Sequence, residues 1–320
     1  MPKFNQRSDS DAGPMNAATE PCPGQLRHHS YAVVRGLFDT ATTERLLQIC
    51  ERVLERWRRA PRCDNPPVGP QANYMRHLND PEYHRDHPDD LAFLLNAMGS
   101  PQVVAALSAA LDEKFLFALS SLYCNPTGES RDGFWHKDKI GAEADASRIP
   151  ETGAGLQMQI ALVPTDDLEL VPGSHLPDYS PEEHAICVAD DGIHNRSNDM
   201  PGAVRLHQEP GDAVLFTQLC IHRGRYHSDK LRRTLMMSVK KQAAAEFTTR
   251  QRGLDYASDQ PWFLLPEYLS GVNEEARAFF QNFVDFYAPL WRARLTEVLK
   301  YSNVVQRLAE AGEPYPFFGE

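Results

Sequence analysis

The chain lacks the sequence signatures of several protein classes. Its six cysteines include no pair separated by two residues, which argues against thiolate zinc sites and against a dense disulfide framework. No uninterrupted apolar run is long enough to span a membrane, and the polar residues 1–25 contain no apolar secretory segment. These absences predict a cytoplasmic protein with reduced thiols and no membrane partner.

Basic charge is also scarce. The sequence holds 33 Lys and Arg against 44 Asp and Glu, a formal net charge of -11. Because an acidic surface repels phosphate backbones, we predict no nucleic-acid partner. Apolar material for a sizeable core is present, since 42% of the 320 residues are hydrophobic. We therefore predict a single domain over residues 26–320, preceded by a disordered leader at residues 1–25.

The order of patterns along the chain predicts a mainly β fold with flanking helices. Residues 26–113 contain one β-prone run followed by helical patterns, and residues 242–320 are helical again. Between them, short β-prone runs separated by turns are typical of an antiparallel sandwich or barrel core at residues 114–241. The runs lie at 114–124, 134–138, 155–163, 168–172, 203–206, 213–219 and 231–240.

An aromatic stripe marks the predicted C-terminal helix. Its apolar side chains recur at helical spacing, which indicates core packing or a contact between subunits, so a homodimer through the C-terminal helices remains open. The stripe comprises Phe279, Phe280, Phe283, Phe286, Tyr287, Leu290, Trp291 and Leu295.

A His-x-Asp pair at His136 and Asp138 is the first candidate metal site. The pair lies in a β-prone run, where residues two apart point to the same side and could bind one ion. The same spacing also begins at His84, His87 and His227, and the surroundings of those pairs predict solvated loops. Spacing alone therefore does not distinguish His136 and Asp138.

A third candidate ligand, His222, strengthens the case. It closes the run at residues 211–221, in which a Gly-Asp turn leads into an apolar strand. Two histidines and one carboxylate on one side of an iron leave coordination positions open, which is the arrangement of non-heme iron oxygenases. Arg232 and Thr234 lie two apart on the following β-prone run, so they share a face and could jointly bind a carboxylate.

Taken together and in order, these motifs resemble the phytanoyl-CoA dioxygenase (PhyH)-like family of Fe(II)- and 2-oxoglutarate-dependent oxygenases. The resemblance covers residues 26–241, and no single motif carries it. It implies a double-stranded β-helix, the cupin-like jelly roll, with a metal site in its mouth and helices packed outside. The matching stretches are residues 30–38, 135–138, 170–175, 210–216, and His222 with residues 232–235.

The resemblance also implies a role for each candidate residue. His136, Asp138 and His222 would bind Fe(II). Arg232 and Thr234 would bind the far carboxylate of 2-oxoglutarate, and O2 would be the second cosubstrate. Halogenating relatives have a small residue in place of the metal-binding aspartate, so the presence of Asp138 favours oxygenation.

Two assignments within the cosubstrate pocket need a choice. The loop after His222 is one residue shorter than in the family, so either Arg232 or Arg233 could bind the carboxylate. We predict Arg232, because it shares a face with Thr234. Gln157 and Gln159 lie two apart on a β-prone run, and we take both as candidate contacts to 2-oxoglutarate or the substrate.

The expected reaction is hydroxylation of an unactivated C–H bond in a small molecule, with release of succinate and CO2. Desaturation or ring formation on the same scaffold is an alternative, and so is a catalytically silent metal-binding scaffold. A zinc hydrolase is disfavoured because the sequence has no His-Glu-x-x-His motif to supply a general base.

Basic residues cluster beside the candidate ligands despite the acidic total. This cluster predicts an anionic or carrier-linked substrate. Lys137 and Arg225, together with Arg76 from the irregular segment 73–77, are the candidate substrate contacts. The cluster comprises Arg131, Lys137, Lys139, Arg223 and Arg225.

Overall fold

Two antiparallel sheets face each other at the centre of the molecule, and helices pack against one of them, which confirms the predicted jelly roll with flanking helices. The computed structural model describes residues 26, 28–59, 67, 73–111, 113–126, 129–138, 154–175, 178–255 and 257–294. The predicted leader at residues 1–25, Lys139 and Leu295 lie outside the described residues.

The strands are β1 (Tyr31–Val34), β2 (Tyr74–Arg76), β3 (Phe115–Cys124), β4 (Arg131–Asp132), β5 (Gly155–Ala161), β6 (Thr165–Leu170), β7 (Val204–Gln208), β8 (Ala213–Thr217), β9 (His222–Tyr226) and β10 (Arg233–Lys241). The helices are α1 (Thr40–Arg59), α2 (Pro88–Met98), α3 (Pro101–Ala110), α4 (Pro181–Cys187), α5 (Gln242–Arg252) and α6 (Glu274–Arg294). Single 3-10 turns occur at Pro81–His84, Ala189–Gly192 and Pro261–Leu264.

The described strands form a major and a minor sheet. The major sheet has the order β1-β8-β5-β10-β3-β2, and the minor sheet has the order β4-β9-β6-β7. Strands β3 to β10 lie within the predicted core at residues 114–241, and β1 and β2 extend the two edges of the major sheet from outside it. An edge strand of three or four residues is recognised only by its pairing with a partner strand.

The two faces of the major sheet carry different side chains, because successive residues of a strand point to opposite sides. Val214 and Phe216 of β8 meet Leu168 and Leu170 of β6, so this side is the inner face between the sheets. The opposite, outer face is apolar and belongs to one core cluster with α1 and α6. Its members include Leu156, Met158, Ile160, Leu235, Met237, Val239, Trp57, Phe280 and Phe283.

Helix α1 begins as its sequence predicts. The Asp39 carboxylate accepts the N–H of Thr42 at 2.8 Å, so a side chain satisfies one of the donors left unpaired at a helix start. From there Leu46, Ile49 and Val53 form a fully buried stripe at helical spacing. This stripe is what fixes α1 against the outer face of the major sheet.

Helices α2 and α3 together form an apolar stretch of 23 residues. By length and composition alone, residues 88–110 could cross a membrane, since an 18-residue window within them has a mean hydropathy of 1.4. Within the protein, however, 56% of this window is buried. The stretch bends at Gly99, where an added Cβ would lie 2.7 Å from the Cα of Ala276 in α6. The apolar side chains are thus used for packing between helices.

The aromatic stripe of α6 is core within the described residues. Phe280, Phe283 and Trp291 are at most 1% exposed. The ring of Phe283 lies 5.1 Å from Phe263 and 5.3 Å from Phe117 of β3, so the stripe joins α6 to the major sheet. Core packing therefore accounts for these side chains, and a homodimer stays a prediction.

Two predicted strands near the candidate ligands have different boundaries in the structure. In place of a strand at 134–138, β4 is followed by a single bridge between His136 and His222. The ladder is interrupted because four residues separate Asp132 from His136 but only three separate their partners Arg225 and His222 on β9, so the first segment carries one extra residue. The Trp135 N–H points to the other side of the segment and donates to the carbonyl of Asn195 at 2.6 Å. His222 does not follow an unbroken strand either, since β8 ends at Thr217 and His222 begins β9.

Candidate metal centre

The structure brings the three predicted ligands together. The donor atoms of His136, Asp138 and His222 lie within 4.8 Å of one another. His136 and His222 exchange backbone hydrogen bonds of 3.1 and 3.0 Å, and the Asp138 N–H donates to the carbonyl of Gln218 at 2.8 Å. Backbone pairing of the loop with β9 and the β8–β9 turn, rather than one regular strand, places the ligands.

Both imidazoles are oriented by carbonyl groups of their own chain segment. His136 Nδ1 lies 2.8 Å from the carbonyl of Phe134, and His222 Nδ1 lies 2.9 Å from the carbonyl of Cys220. A carbonyl only accepts, so Nδ1 carries the proton in each ring and Nε2 presents its lone pair. This is the tautomer that binds a metal through Nε2.

The Asp138 carboxylate is divided between two tasks. Its Oδ2 accepts a hydrogen bond from the Gln157 side-chain amide, and its Oδ1 lies 3.5 Å from His136 Nε2. Gln157 therefore orients a candidate metal ligand, whereas the sequence suggested a contact to cosubstrate or substrate. Gln159 is also on the inner face, opposite Val214, and its Oε1 is buried without a hydrogen-bond partner among the described residues.

The charges at the cluster suit a divalent cation. Burial, aided by the nearby His136, lowers the pKa of His222 to about 4, so His222 is neutral near pH 7 and its lone pair is available. Burial opposes ionisation of Asp138, but the neighbouring imidazoles of His136 and His222 and the hydrogen bond from Gln157 outweigh it and lower the pKa of this carboxyl. Burial also lowers the pKa of His136, and Asp138 reverses that, so the net shift is upward. Two imidazole nitrogens and one carboxylate oxygen fit an iron(II) ion.

Alternation along β10 distinguishes the two candidate carboxylate anchors. Arg233 points to the outer face, where its Nε lies 2.6 Å from Glu51 of α1. Arg232 points inward with Thr234, and its guanidinium lies 4.9 Å from the ring of Tyr123 and 4.7 Å from the ring of Tyr226. The structure therefore leaves Arg232, and not Arg233, on the side of the metal cluster.

The pocket beside Arg232 fits the far carboxylate of 2-oxoglutarate. The hydroxyl of Thr234 is buried and has no hydrogen-bond partner within the part of the chain that the structure describes. An unpaired buried hydroxyl costs free energy unless a ligand or water completes it. A carboxylate between Arg232 and Thr234 would accept hydrogen bonds from both side chains. Burial raises the pKa of the nearby Tyr123 phenol, and the charge of Asp138 adds to this rise.

Two of the predicted substrate contacts lie elsewhere. Arg225 faces away from His222 on β9 and pairs with Asp132 at 2.8 Å and Glu169 at 3.0 Å. The ammonium of Lys137 lies 4.4 Å from the ring of Tyr179, beside α4. Arg225 points outward because the side chains of β9 alternate from His222 onward, and Lys137, between His136 and Asp138, lies against Tyr179.

Arg76 keeps a position compatible with the prediction. It lies on β2 opposite Ser121, two residues from Tyr74, whose ring is 4.9 Å from that of Tyr123. Met75 between them is fully buried in the outer core, so Tyr74 and Arg76 share the inner face. Arg76 is therefore on the same side of the sheet as the candidate cosubstrate pocket.

A brace behind the ligands was not foreseen from the sequence. The guanidinium of Arg223 lies 4.4 Å from the ring of Trp135, so the residues adjoining His222 and His136 stack on each other. Arg223 also donates to Glu169 at 2.6 Å and to the carbonyl of Ser197 at 3.1 Å, and Trp135 donates to the same carbonyl at 2.8 Å. The sequence did contain a signal for this contact: a tryptophan directly precedes His136, and an arginine directly follows His222.

The other His-x-Asp pairs do not join the cluster. His84 was predicted to lie in a solvated loop, but it is only 3% exposed, and its Nε2 lies 2.8 Å from the carbonyl of Leu78. Burial is the main reason that its pKa is lowered. Within the described residues, His136, Asp138 and His222 are the group of this kind with metal-binding geometry.

A jelly roll with an inward cluster of two histidines and one aspartate defines a non-heme metal-binding protein of the cupin type. The sequence profile of the phytanoyl-CoA dioxygenase (PhyH) family matches residues 26–234. The chain belongs to this family, whose members are non-heme iron oxygenases that use iron and 2-oxoglutarate. No curated protein matches the sequence.

The chain is similar to several solved structures at low sequence identity, and the likeness to the first of those that follow shows the fold. EctD from S. alaskensis with 2-oxoglutarate and 5-hydroxyectoine is 16% identical, with 74% of this chain and 85% of that chain covered and a TM-score of 0.52. AviO1 from Streptomyces viridochromogenes Tue57 is 19% identical, with coverages of 72% and 98% and a TM-score of 0.48. The α-ketoglutarate-dependent epimerase SnoN from nogalamycin biosynthesis is 18% identical, with coverages of 68% and 79% and a TM-score of 0.48.

Proposed function

We propose that this oxygenase hydroxylates an unactivated C–H bond of a small-molecule substrate and releases succinate and CO2. The observation that carries the proposal is the inward cluster of His136, Asp138 and His222, with Arg232 and Thr234 on the inner face of the same barrel. Bound iron supplies the oxidising chemistry with 2-oxoglutarate and O2. An aspartate ligand, rather than a small residue, leaves no coordination position for a halide.

The chain's own residues hold and orient the reactants. His136 and His222 bind the ion through Nε2, because their Nδ1 protons are committed to backbone carbonyls. Gln157 keeps Oδ2 of Asp138 occupied, so that Oδ1 would remain to bind the ion. This preorganised geometry leaves little rearrangement to be made when the reactants bind.

The cosubstrate is held at its far end. Arg232 is fixed between the rings of Tyr123 and Tyr226, and its NH1 donates to the carbonyl of Arg225 at 3.0 Å. A guanidinium in this position binds a carboxylate without losing much side-chain freedom.

An absorption experiment tests this assignment on the iron(II)-loaded protein. Without oxygen, 2-oxoglutarate added to the wild type should produce a weak visible charge-transfer band, and air should then yield succinate. Arg232→Met should raise the concentration of 2-oxoglutarate needed for half of the band at least about tenfold, since a charge-assisted hydrogen bond is worth about 1.5–3 kcal/mol.

Arg233→Met is the matched control. Arg233 is equally buried but pairs with Glu51 outside the barrel, so the band should form at the wild-type concentration of 2-oxoglutarate. Equal titrations of wild type and Arg232→Met would contradict the anchor assignment. Mass analysis of the product distinguishes a gained oxygen atom from the loss of two hydrogens in desaturation or ring closure.

We also propose an anionic group on the substrate, now supported by Arg76 on the inner face of β2 rather than by Arg225 or Lys137. Arg76→Gln should then weaken binding of the true substrate and leave the 2-oxoglutarate titration unchanged. A cytoplasmic location and a homodimer belong to the same proposal, and sedimentation of the purified protein tests the latter.

A further inference from the structure

A buried carboxylate lies beside the proposed cosubstrate anchor. Asp167 Oδ2 is 3.7 Å from Arg232 Nε, and each of the two side chains is only 3% exposed. Oδ2 also accepts the hydroxyl of Thr165 at 2.7 Å, whereas Oδ1 is buried with no hydrogen-bond partner among the described residues. Arg232 is therefore the cation that balances Asp167.

A β-bulge points Asp167 into the barrel. On β6, Thr165 pairs with Gln208 and Leu168 pairs with Leu206, so two residues of β6 lie opposite one residue of β7. The bulge breaks the alternation, and Asp167 and Leu168 consequently both point inward. Asp166 points outward, where it pairs with Lys230 and lies 3.4 Å from Arg205.

Among the described residues, Asp167 is the one acidic side chain that pairs with Arg232. Its guanidinium lies between the rings of Tyr123 and Tyr226 and donates to one backbone carbonyl, and its Nε has no hydrogen-bond partner within the described part of the chain. The anchor is thus a nearly neutral ion pair before a ligand arrives. A ligand carboxylate at Arg232 would bring a second negative charge close to Asp167 in a buried site.

We propose that Asp167 is an internal competitor that weakens the hold of Arg232 on 2-oxoglutarate and on succinate. The inference rests on the proposed role of Arg232. When 2-oxoglutarate loses CO2, the carboxylate at its far end is retained in succinate, so the same contact to Arg232 holds both molecules. A counter-charge at this contact speeds release of the product at the cost of affinity for the cosubstrate.

The electrostatic consequence has a definite sign. Arg232, Asp167 and the ligand carboxylate together carry one uncompensated negative charge, and in a buried site such a charge is poorly screened. Removing the charge of Asp167 leaves a one-to-one pair between Arg232 and the ligand. A residue that merely packs beside Arg232, or that merely steers it, would give no tightening on neutralisation.

Calorimetry on the iron(II)-loaded protein without oxygen tests the proposal, with 2-oxoglutarate and succinate as the two probes. Asp167→Asn should bind each probe about tenfold more tightly than the wild type, the order expected for relief of like-charge repulsion at low effective dielectric. Asp166→Asn is the matched control, since it neutralises the adjacent carboxylate outside the barrel, and it should bind both probes with wild-type affinity.

Asp167→Ala provides a second charge removal if the Asn variant does not fold, and it should also bind both probes more tightly. Unchanged or weaker binding of succinate by the folded Asp167 variants would overturn the inference. Failure of the proposed anchor has a separate signature, because Arg232→Met would then bind 2-oxoglutarate as tightly as the wild type does.

Discussion

The two sheets cover their outer faces by opposite means. Behind the major sheet, apolar side chains such as Leu235 and Met158 pack against helices α1 and α6. Behind the minor sheet, Arg223 and Arg225 form an ionic layer with Glu169 and its neighbours. The apolar layer is buried, whereas the ionic layer is buried at Arg223 and Glu169 and partly exposed at Arg225, and only the ionic layer depends on the direction of each contact.

The two outer layers have different effects, one on the stability of the fold and the other on the geometry of the candidate metal site. Hydrophobic burial scales with area and is not directional, so the outer face of the major sheet holds the fold together without orienting any one atom. Charge-assisted hydrogen bonds have preferred directions, and those of Arg223 fix the residues next to His136 and His222. The apolar outer layer of the major sheet therefore supplies stability, and the ionic outer layer of the minor sheet orients the segments that carry His136 and His222.

The largest effect is expected from breaking the apolar layer. Leu235→Ala removes a side chain that is 0% exposed and leaves a cavity, which should lower the free energy of unfolding by about 2–5 kcal/mol. Urea denaturation measures this loss. The folded variant should still bind metal with wild-type affinity, and a matching loss of metal affinity would contradict the separation of roles.

An intermediate effect is expected from breaking the ionic layer. Arg223→Met removes the stack on Trp135 and the contacts to residues 196–198, while Glu169 keeps its pair with Arg225. Because outer contacts that orient ligands change metal affinity, the affinity should fall about 10–100-fold. Titration of the apoprotein with cobalt(II) measures it.

Arg225→Met is the control for the preceding change. Arg225 lies on the same face of β9 and shares Glu169, but its other described side-chain partner is Asp132 rather than Trp135. Its replacement should leave the metal affinity within about threefold of the wild type, since it does not orient a ligand loop. Equal losses in the two variants would show that total charge, not the brace, sets the affinity.

The smallest effect is expected from Trp135→Phe. The substitution keeps an aromatic face for Arg223 but removes the N–H that donates to the carbonyl of Ser197. One neutral hydrogen bond contributes about 1 kcal/mol, so metal affinity should fall by no more than about fivefold. A loss as large as that of Arg223→Met would show that the Trp135 N–H, rather than the Arg223 guanidinium, is the group that holds the ligand segments in place.

Much of the site was predictable, because it lies in local patterns. The spacing of His136 and Asp138, the strand before His222 and the alternation of Arg232 with Thr234 all concern neighbours in sequence. Short strands and turns likewise predicted the jelly roll, which the structure confirms. Residues near each other in the chain reach the same place whichever partners surround them.

Three side chains have surroundings that the sequence did not predict, for one shared reason. Residue type suggested that Arg225 and Lys137 contact the substrate and that His84 is solvated. In the structure Arg225 pairs with Asp132, Lys137 lies against the ring of Tyr179, and His84 is buried. Composition reports how many charges a region has, but the pairing of charges depends on which strands meet. No local pattern reveals that Arg225 faces Asp132.

By itself the sequence determined the class of fold, the three candidate metal ligands and the candidate carboxylate anchor, since strand alternation and spacing are local properties. Only the tertiary structure decided that Gln157 orients Asp138 and that Arg223 braces Trp135. The inward turn of Asp167 belongs to the same group, because the bulge exists only in the pairing of β6 with β7. Hydrogen bonds and ion pairs act over a few ångströms, so their partners are fixed by the assembled sheets and not by distance along the chain.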